Sequence, residues 1–248
     1  MTSEVTYTLS IRNSALEPCF GLADTLAERY GLPFVEYGFL GLASDDAPLS
    51  VIYSILLPGQ AVSDQSVYVP GRQVFGSLRR EVDALSEQVG QSLVPIAFIH
   101  RHPTADLSLS EIDREFLMHS FLNQVAAVVT FREGLPPDVA MDGPCTCRTP
   151  SGQRSVIPWL SDPVLAEYAL AFSLIVHRQR GLAVYAARKV WCPRCGRPQT
   201  HMVPAAVRVE CTEPTHAPGD PWRAAALSHE TILDRLRVVT PTSDGQAS

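Results

Sequence analysis

No run of 18 uninterrupted apolar residues occurs in the chain, so no membrane-spanning helix is expected. The opening residues, MTSEVTYTLSIRNS, lack a basic start followed by an apolar core. No secretory leader is therefore expected, and the expected location is the cytoplasm. Basic residues are outnumbered, 20 Lys and Arg against 26 Asp and Glu, for a formal net charge of −6. That balance argues against a broad nucleic-acid footprint, and the basic run at 178–189 is too thin to reverse it. There is no internal repeat. Cysteines number only six: Cys19, Cys145, Cys147, Cys192, Cys195 and Cys211. In a cytoplasmic chain, their C-x-C and C-P-x-C spacings point to metal before disulfides. Cys19, alone in a helical stretch, reads as a buried structural thiol.

What is present suits a packed globular protein. Apolar residues make up 46% and charged residues 19% of 248 positions, room for one large domain, or for a domain of about 150–190 residues with a smaller appendage. Residues 6–11 alternate as a short strand. Residues 16–30 have helical spacing, with Gly31 as a stop and Pro33 beyond it. Residues 33–43 are β-rich and contain a single acid, Glu36, and 49–59 form a strong strand running into Pro-Gly. An amphipathic helix is predicted over 70–92, with Phe75, Leu78, Val82, Leu85 and Val89 on one stripe. Residues 94–100 are a buried strand, 109–121 a helix starting at Ser110, and 124–131 another buried strand. Residues 133–160 read as a long loop or insertion. Residues 164–179 pass from helix-like to strand-like, and 182–191 return after Gly181 as a hairpin partner. A short amphipathic helix is predicted over 228–239, followed by a frayed tail.

The chemistry concentrates in IAFIHRHPTADLSLSEIDREFL, residues 96–117. It contains His100, His102, Ser110 and Asp113 as H-x-H-P-x6-S-x-x-D. Histidines two apart on a strand share one side of it. A carboxylate returning from the next element closes a cage of two His and one acid, with a position left for water, as in catalytic zinc sites. The bland reading of Ser110 and Asp113 is a helix capping box, which is compatible with ligation by Asp113. A hydrolytic site of this type also needs an acid that does not bind the metal. Glu36 is the candidate, because it is the lone acid in an apolar β-like stretch.

The set E…H-x-H-P-x6-S-x-x-D resembles the JAMM motif of the MPN (JAB) metalloproteases, over roughly residues 5–190. Glu36-Tyr-Gly-Phe-Leu-Gly looks like that family's E-x-C/G-G-x-L-x-G segment, with Tyr37 and Gly38 as departures. His100-Arg-His-Pro looks like its H-S-H-P, with Arg101 in place of serine. That departure is expected to alter the cleft surface and leave the metal alone. The resemblance implies an α/β, cytidine-deaminase-like core with a mixed sheet flanked by helices. It implies Zn²⁺ on His100, His102 and Asp113, Glu36 as general acid/base, and Ser110 as oxyanion donor. The implied activity is an isopeptidase acting after the C-terminus of a ubiquitin-like protein. Its partners would be that protein or its conjugates, with the activating and conjugating enzymes of the same system. In this the chain resembles bacterial stand-alone JAB proteins, some of them in antiphage defence. Members that lack the site residues are silent scaffolds, so the other readings are a scaffold or binding module and a peptide amidohydrolase.

Beyond residue 190, Cys-Pro-Arg-Cys-Gly resembles half of a zinc ribbon. Cys192, Cys195, Cys211 and His216 form a plausible set for a second, structural zinc, with Cys145, Cys147 and His201 as alternative ligands. The expected organisation is therefore a metalloprotease domain over 1–190, a small zinc-ribbon-like appendix over 191–222, and a C-terminal helix and tail over 223–248. The long 133–160 segment is the expected wall for the partner's extended tail. His119, His177 and His229 read as surface or structural.

Overall fold

The structure, a computed structural model, describes residues 6–62, 72–122, 128–131, 166–177, 179–191, 198–211 and 236–238. Strand β1 (Tyr7–Arg12) leads directly into helix α1 (Asn13–Tyr30), which Gly31 ends in the left-handed conformation at φ 65°. Then follow β2 (Tyr37–Ser44), β3 (Ala47–Leu56), the short β4 (Gln60–Val62), helix α2 (Arg72–Val89) and β5 (Leu93–Arg101). Helix α3 (Glu111–Glu115) widens into a π-helical turn at Phe116–Phe121, and β6 is Val128–Phe131. The remaining strands are β7 (Ala166–Val176), β8 (Leu182–Trp191), β9 (Pro198–Val203), β10 (Ala205–Glu210) and β11 (Leu236–Val238).

The class is α/β with a mixed sheet. Its order is β10-β1-β3-β2-β5-β7-β8-β9, with β6 paired to β7 beside that path. A single residue, Pro204, separates β9 on one edge from β10 on the other, so the sheet nearly closes on itself. All eight residues of β2 are buried, as befits a central strand covered on both faces. One face meets α1 through Leu16, Phe20, Leu22 and Leu26. The other meets α2 and the 116–122 turn through Leu78, Val82, Phe116, Leu117 and Phe121. Each large apolar side chain taken from water contributes about 1.5–3 kcal/mol. Among the described residues no helix is long and apolar enough to cross a membrane.

Three expectations change. Pro198–Val203 and Ala205–Glu210, assigned to the appendix, are edge strands of the main sheet; their apolar alternation is weak because they are only partly covered. Leu236–Val238 lies where a helix was predicted, yet it pairs as a strand in parallel with Gln60–Val62. Residues 166–176, expected to begin helix-like, are strand throughout, and in the turn after them Arg180, at φ 60°, takes the left-handed conformation next to Gly181. Its guanidinium is held by Glu17 at 2.9 Å. The 133–160 segment and His229 lie outside the described residues.

Candidate metal centre

Strand β5 carries His100, and His102 follows directly after its last residue. Along β5, Ile96, Ala97 and Ile99 belong to the core on the α1 side, while Phe98 packs with the α2 side. His100 lies flat on Phe98, with ring centroids 4.9 Å apart and planes at 17°. Phe98 meets Phe116 edge-on at 4.8 Å. Phe116 follows directly after α3, so the helix that bears Asp113 is clamped against the strand that bears the histidines. Gly38 stands opposite His100 in the neighbouring strand. A Cβ there would come within 2.7 Å of Phe98 Cε2, so only glycine lets Phe98 approach β2 and support His100.

Three side chains converge. His100 Nε2 is 3.1 Å from His102 Nε2. The Asp113 carboxylate straddles them, Oδ1 at 3.4 Å from His100 and Oδ2 at 3.3 Å from His102. Metal bonds of about 2.0–2.1 Å in a tetrahedron place neighbouring ligand atoms about 3.3–3.4 Å apart. Each of the three separations is close to that edge, with the carboxylate meeting each imidazole through a different oxygen. One ligand atom from each residue lies within 4.8 Å of the others, so the three side chains face a common centre. The histidines are buried, His100 5% and His102 8% exposed, and Asp113 is half-buried.

The donor inventory makes the same demand. His102 Nδ1 lies 3.0 Å from the Asp106 carbonyl oxygen, which can only accept. Nδ1 therefore carries the hydrogen, and Nε2 turns its lone pair toward the site. The Asp113 carboxylate points at the same spot, as does His100 Nε2, which can carry either a hydrogen or a lone pair because no hydrogen bond to its Nδ1 fixes the tautomer. Lone pairs gathered this closely are satisfied by a cation or by a proton between them. A proton supplies this when no metal does. Burial pulls the His102 imidazole down, but the Asp113 carboxylate, the Asp106 carbonyl and Glu36 outweigh it and hold it above its ordinary value. Burial likewise pushes Asp113 up, and the two histidines and Ser110 overcome this, leaving its carboxyl well below the usual range. The cluster could thus bind a metal ion, and it is the one such group among the described residues.

Ser110 forms a full capping box with Asp113. Its Oγ accepts from the Asp113 amide at 3.1 Å, and the carboxylate accepts from the Ser110 amide at 3.2 Å. The Ser110 hydroxyl donates its one hydrogen to Asp113 Oδ2 at 2.5 Å. The serine thus orients the ligand, and stabilising an oxyanion would require that hydrogen to turn away. Glu36 is half-buried and sits one residue before β2. The β2–β5 register pairs Tyr37 with Arg101 and Gly38 with His100, so one further step sets Glu36 across from His102. Its charge acts on that imidazole.

Arg101 corrects an expectation. It is 1% exposed and forms no cleft surface; strand alternation turns it to the face opposite the histidines. Sequence reasoning also missed Gln60. Its buried carboxamide accepts from the Gly38 amide at 2.7 Å and donates to the Gly38 carbonyl at 2.9 Å, as a strand backbone would. A lone glutamine after a Pro-Gly turn gives no sequence signal for that role. Cys19 is fully buried and its thiol is pushed up by burial, in keeping with a structural thiol. His119 is exposed beside Glu115.

Of the residues proposed for a second metal, Cys192, Cys195, His216, Cys145 and Cys147 lie outside the described residues. His201 and Cys211 are exposed on β9 and after β10, and neither belongs to a ligand cluster among the described residues. No protein-family model matches the chain, and no curated protein matches it.

Proposed function

We propose that the chain is a zinc-dependent amide hydrolase of the MPN (JAB) type, cleaving the isopeptide bond after the C-terminus of a ubiquitin-like protein. The observation that carries this reading is the convergence of His100, His102 and Asp113 on one centre, with Glu36, an acid outside that set, one register step beyond the Tyr37–Arg101 pair. Two imidazoles and one carboxylate are a donor set suited to catalytic zinc, and His102 has the backbone-fixed tautomer common to such ligands.

His100 Nε2, His102 Nε2 and one Asp113 oxygen would hold the ion. Bound zinc supplies Lewis acidity and lowers the pKa of a coordinated water toward about 7. Glu36 takes a proton from the attacking water as its oxygen adds to the scissile carbonyl carbon. Glu36 then delivers that proton to the lysine nitrogen as the C–N bond breaks. Ser110 holds Asp113 in place, and its hydroxyl is the donor nearest to hand for the carbonyl oxygen once it turns from the carboxylate. No covalent intermediate with the chain forms, so no cysteine is required. A structural zinc in the Cys-rich 191–222 segment remains part of the proposal, as do a ubiquitin-like partner and its conjugation enzymes.

The test is Glu36→Gln in the full chain. It should retain zinc at the level of the parent and lose at least about 100-fold in cleavage of a ubiquitin–lysine isopeptide probe. Retained cleavage would dismiss Glu36 as the base. A parent protein that binds zinc but cleaves neither that probe nor short fluorogenic peptides would dismiss the hydrolase reading and leave a binding module.

A further inference from the structure

Arg101 stands between the two histidines in sequence and on the opposite side of the strand in space. Its Nη1 donates to the Val35 carbonyl at 2.9 Å, and its Nη2 donates to the Pro33 carbonyl. The guanidinium carbon is 6.0 Å from the centroid of the Tyr37 ring. Tyr37 is itself tied to α1, donating its hydroxyl to the Cys19 carbonyl at 2.7 Å. These contacts bracket Glu36. The Val35 carbonyl belongs to the planar peptide unit that joins Val35 to Glu36, so fixing that oxygen fixes the plane from which Glu36 departs. On the other side, Tyr37 pairs with Arg101 itself in the sheet, and Gln60 holds Gly38. Little backbone freedom remains to the glutamate between them.

A buried charge needs a strong reason to persist, since an unpaired one is costly. Here the planar fork reaches two carbonyls at once, which a lysine ammonium on a single flexible stem does less well. The same three residues, His-Arg-His, therefore supply two metal ligands on one face and a clamp for the facing acid on the other.

We propose that Arg101 is a positioning residue that sets the Glu36 carboxylate at its working distance from the His100–His102–Asp113 centre. The proposal rests on the hydrolase reading above for its catalytic consequence, and on the clamp geometry alone for its structural one. The Arg101 side chain lies on the face of the strand opposite the histidines, so its loss should leave zinc affinity and KM alone. It should lower kcat, because misplacing a catalytic group by about 1 Å costs on the order of 100-fold.

The experiment compares full-length parent, R101M, R101K, E36Q and the R101M/E36Q double variant. Each is examined for zinc affinity, for hydrogen exchange of the amides of residues 34–37, and for kcat and KM on the ubiquitin–lysine isopeptide probe. The expected result for R101M is parental zinc affinity, faster exchange confined to 34–37, kcat lower by about 100-fold and unchanged KM. R101M should cause no further loss in the E36Q background, and R101K should recover part of the rate. Parental kcat in a zinc-loaded R101M, or losses that multiply in the double variant, would overturn the proposal. If R101M does not fold, R101K decides, and parental kcat together with parental exchange there overturns it. If the parent itself cleaves nothing, the hydrolase reading falls separately. Exchange at 34–37 then still tells whether Arg101 holds the segment, and an unchanged rate would overturn that as well.

Discussion

Replacing Asp113 by Asn tests the metal centre without relying on any substrate. One ligand atom from each of His100, His102 and Asp113 already lies within 4.8 Å of the others, so binding should need only small side-chain adjustments. With free zinc at a hundred times Kd, binding to the native state alone adds about 2.7 kcal/mol. A chain of this size shifts its Tm by about 2–4 °C per kcal/mol, which gives a rise of about 5–11 °C. Asparagine keeps the shape and one acceptor for the Ser110 cap but removes the charge that faces both imidazoles. Loss of an outer-shell partner of a ligand alone weakens metal binding by about 10–100-fold, and loss of a charged ligand should do at least as much. A hundredfold weaker site at the same zinc concentration is half occupied and contributes about 0.4 kcal/mol, a shift of only about 1–2 °C. Each protein is melted with zinc and with chelator, so any change in metal-free stability cancels within the pair. An equal zinc shift in parent and D113N would refute the assignment of Asp113 as a ligand, and so would the absence of a shift in the parent.

Two further outcomes follow from the same geometry. The raised His102 imidazole makes the His102–Asp113 attraction in the metal-free protein fully present below the ordinary histidine value of about 6.5. That attraction is lost as pH rises through the folded-state value. Metal needs the neutral imidazole, so the zinc-induced Tm rise should grow from pH 6 to pH 8 while the chelated protein loses this contribution; a zinc shift independent of pH would count against His102 as a ligand. Ser110→Ala separates the two roles of that hydroxyl. A weaker zinc affinity with kcat unchanged at saturating metal assigns Ser110 to orienting Asp113, whereas a lower kcat at full zinc occupancy assigns it to the developing oxyanion.

Much of this architecture was legible before folding, because it rests on local rules. The apolar run at 94–100 read as a buried strand, and the period of two along a strand set His100 and His102 on one side. The S-x-x-D spacing announced the cap that starts α3 at Ser110. Gly31 marked the end of α1, and the alternating 182–191 run formed the predicted hairpin partner of β7. Each of these signals is complete within about ten residues. The alternation of β9 and β10 is faint; β9 pairs with its sequence neighbour β8, whereas β10 pairs with β1 from the other end of the described chain.

The sequence by itself determined which residue types were available for a metal centre, and it determined the local faces they occupy. Only the tertiary structure decided that Asp113 reaches both imidazoles, that the charge of Glu36 acts on His102, and that Arg101 turns inward to grip the Glu36 segment. The physical reason is that alternation and capping act between near neighbours. The register of β2 against β5 is instead chosen by burying both faces of each strand at once, with Gly38 yielding space to Phe98, and that choice depends on contacts from the whole length of the chain.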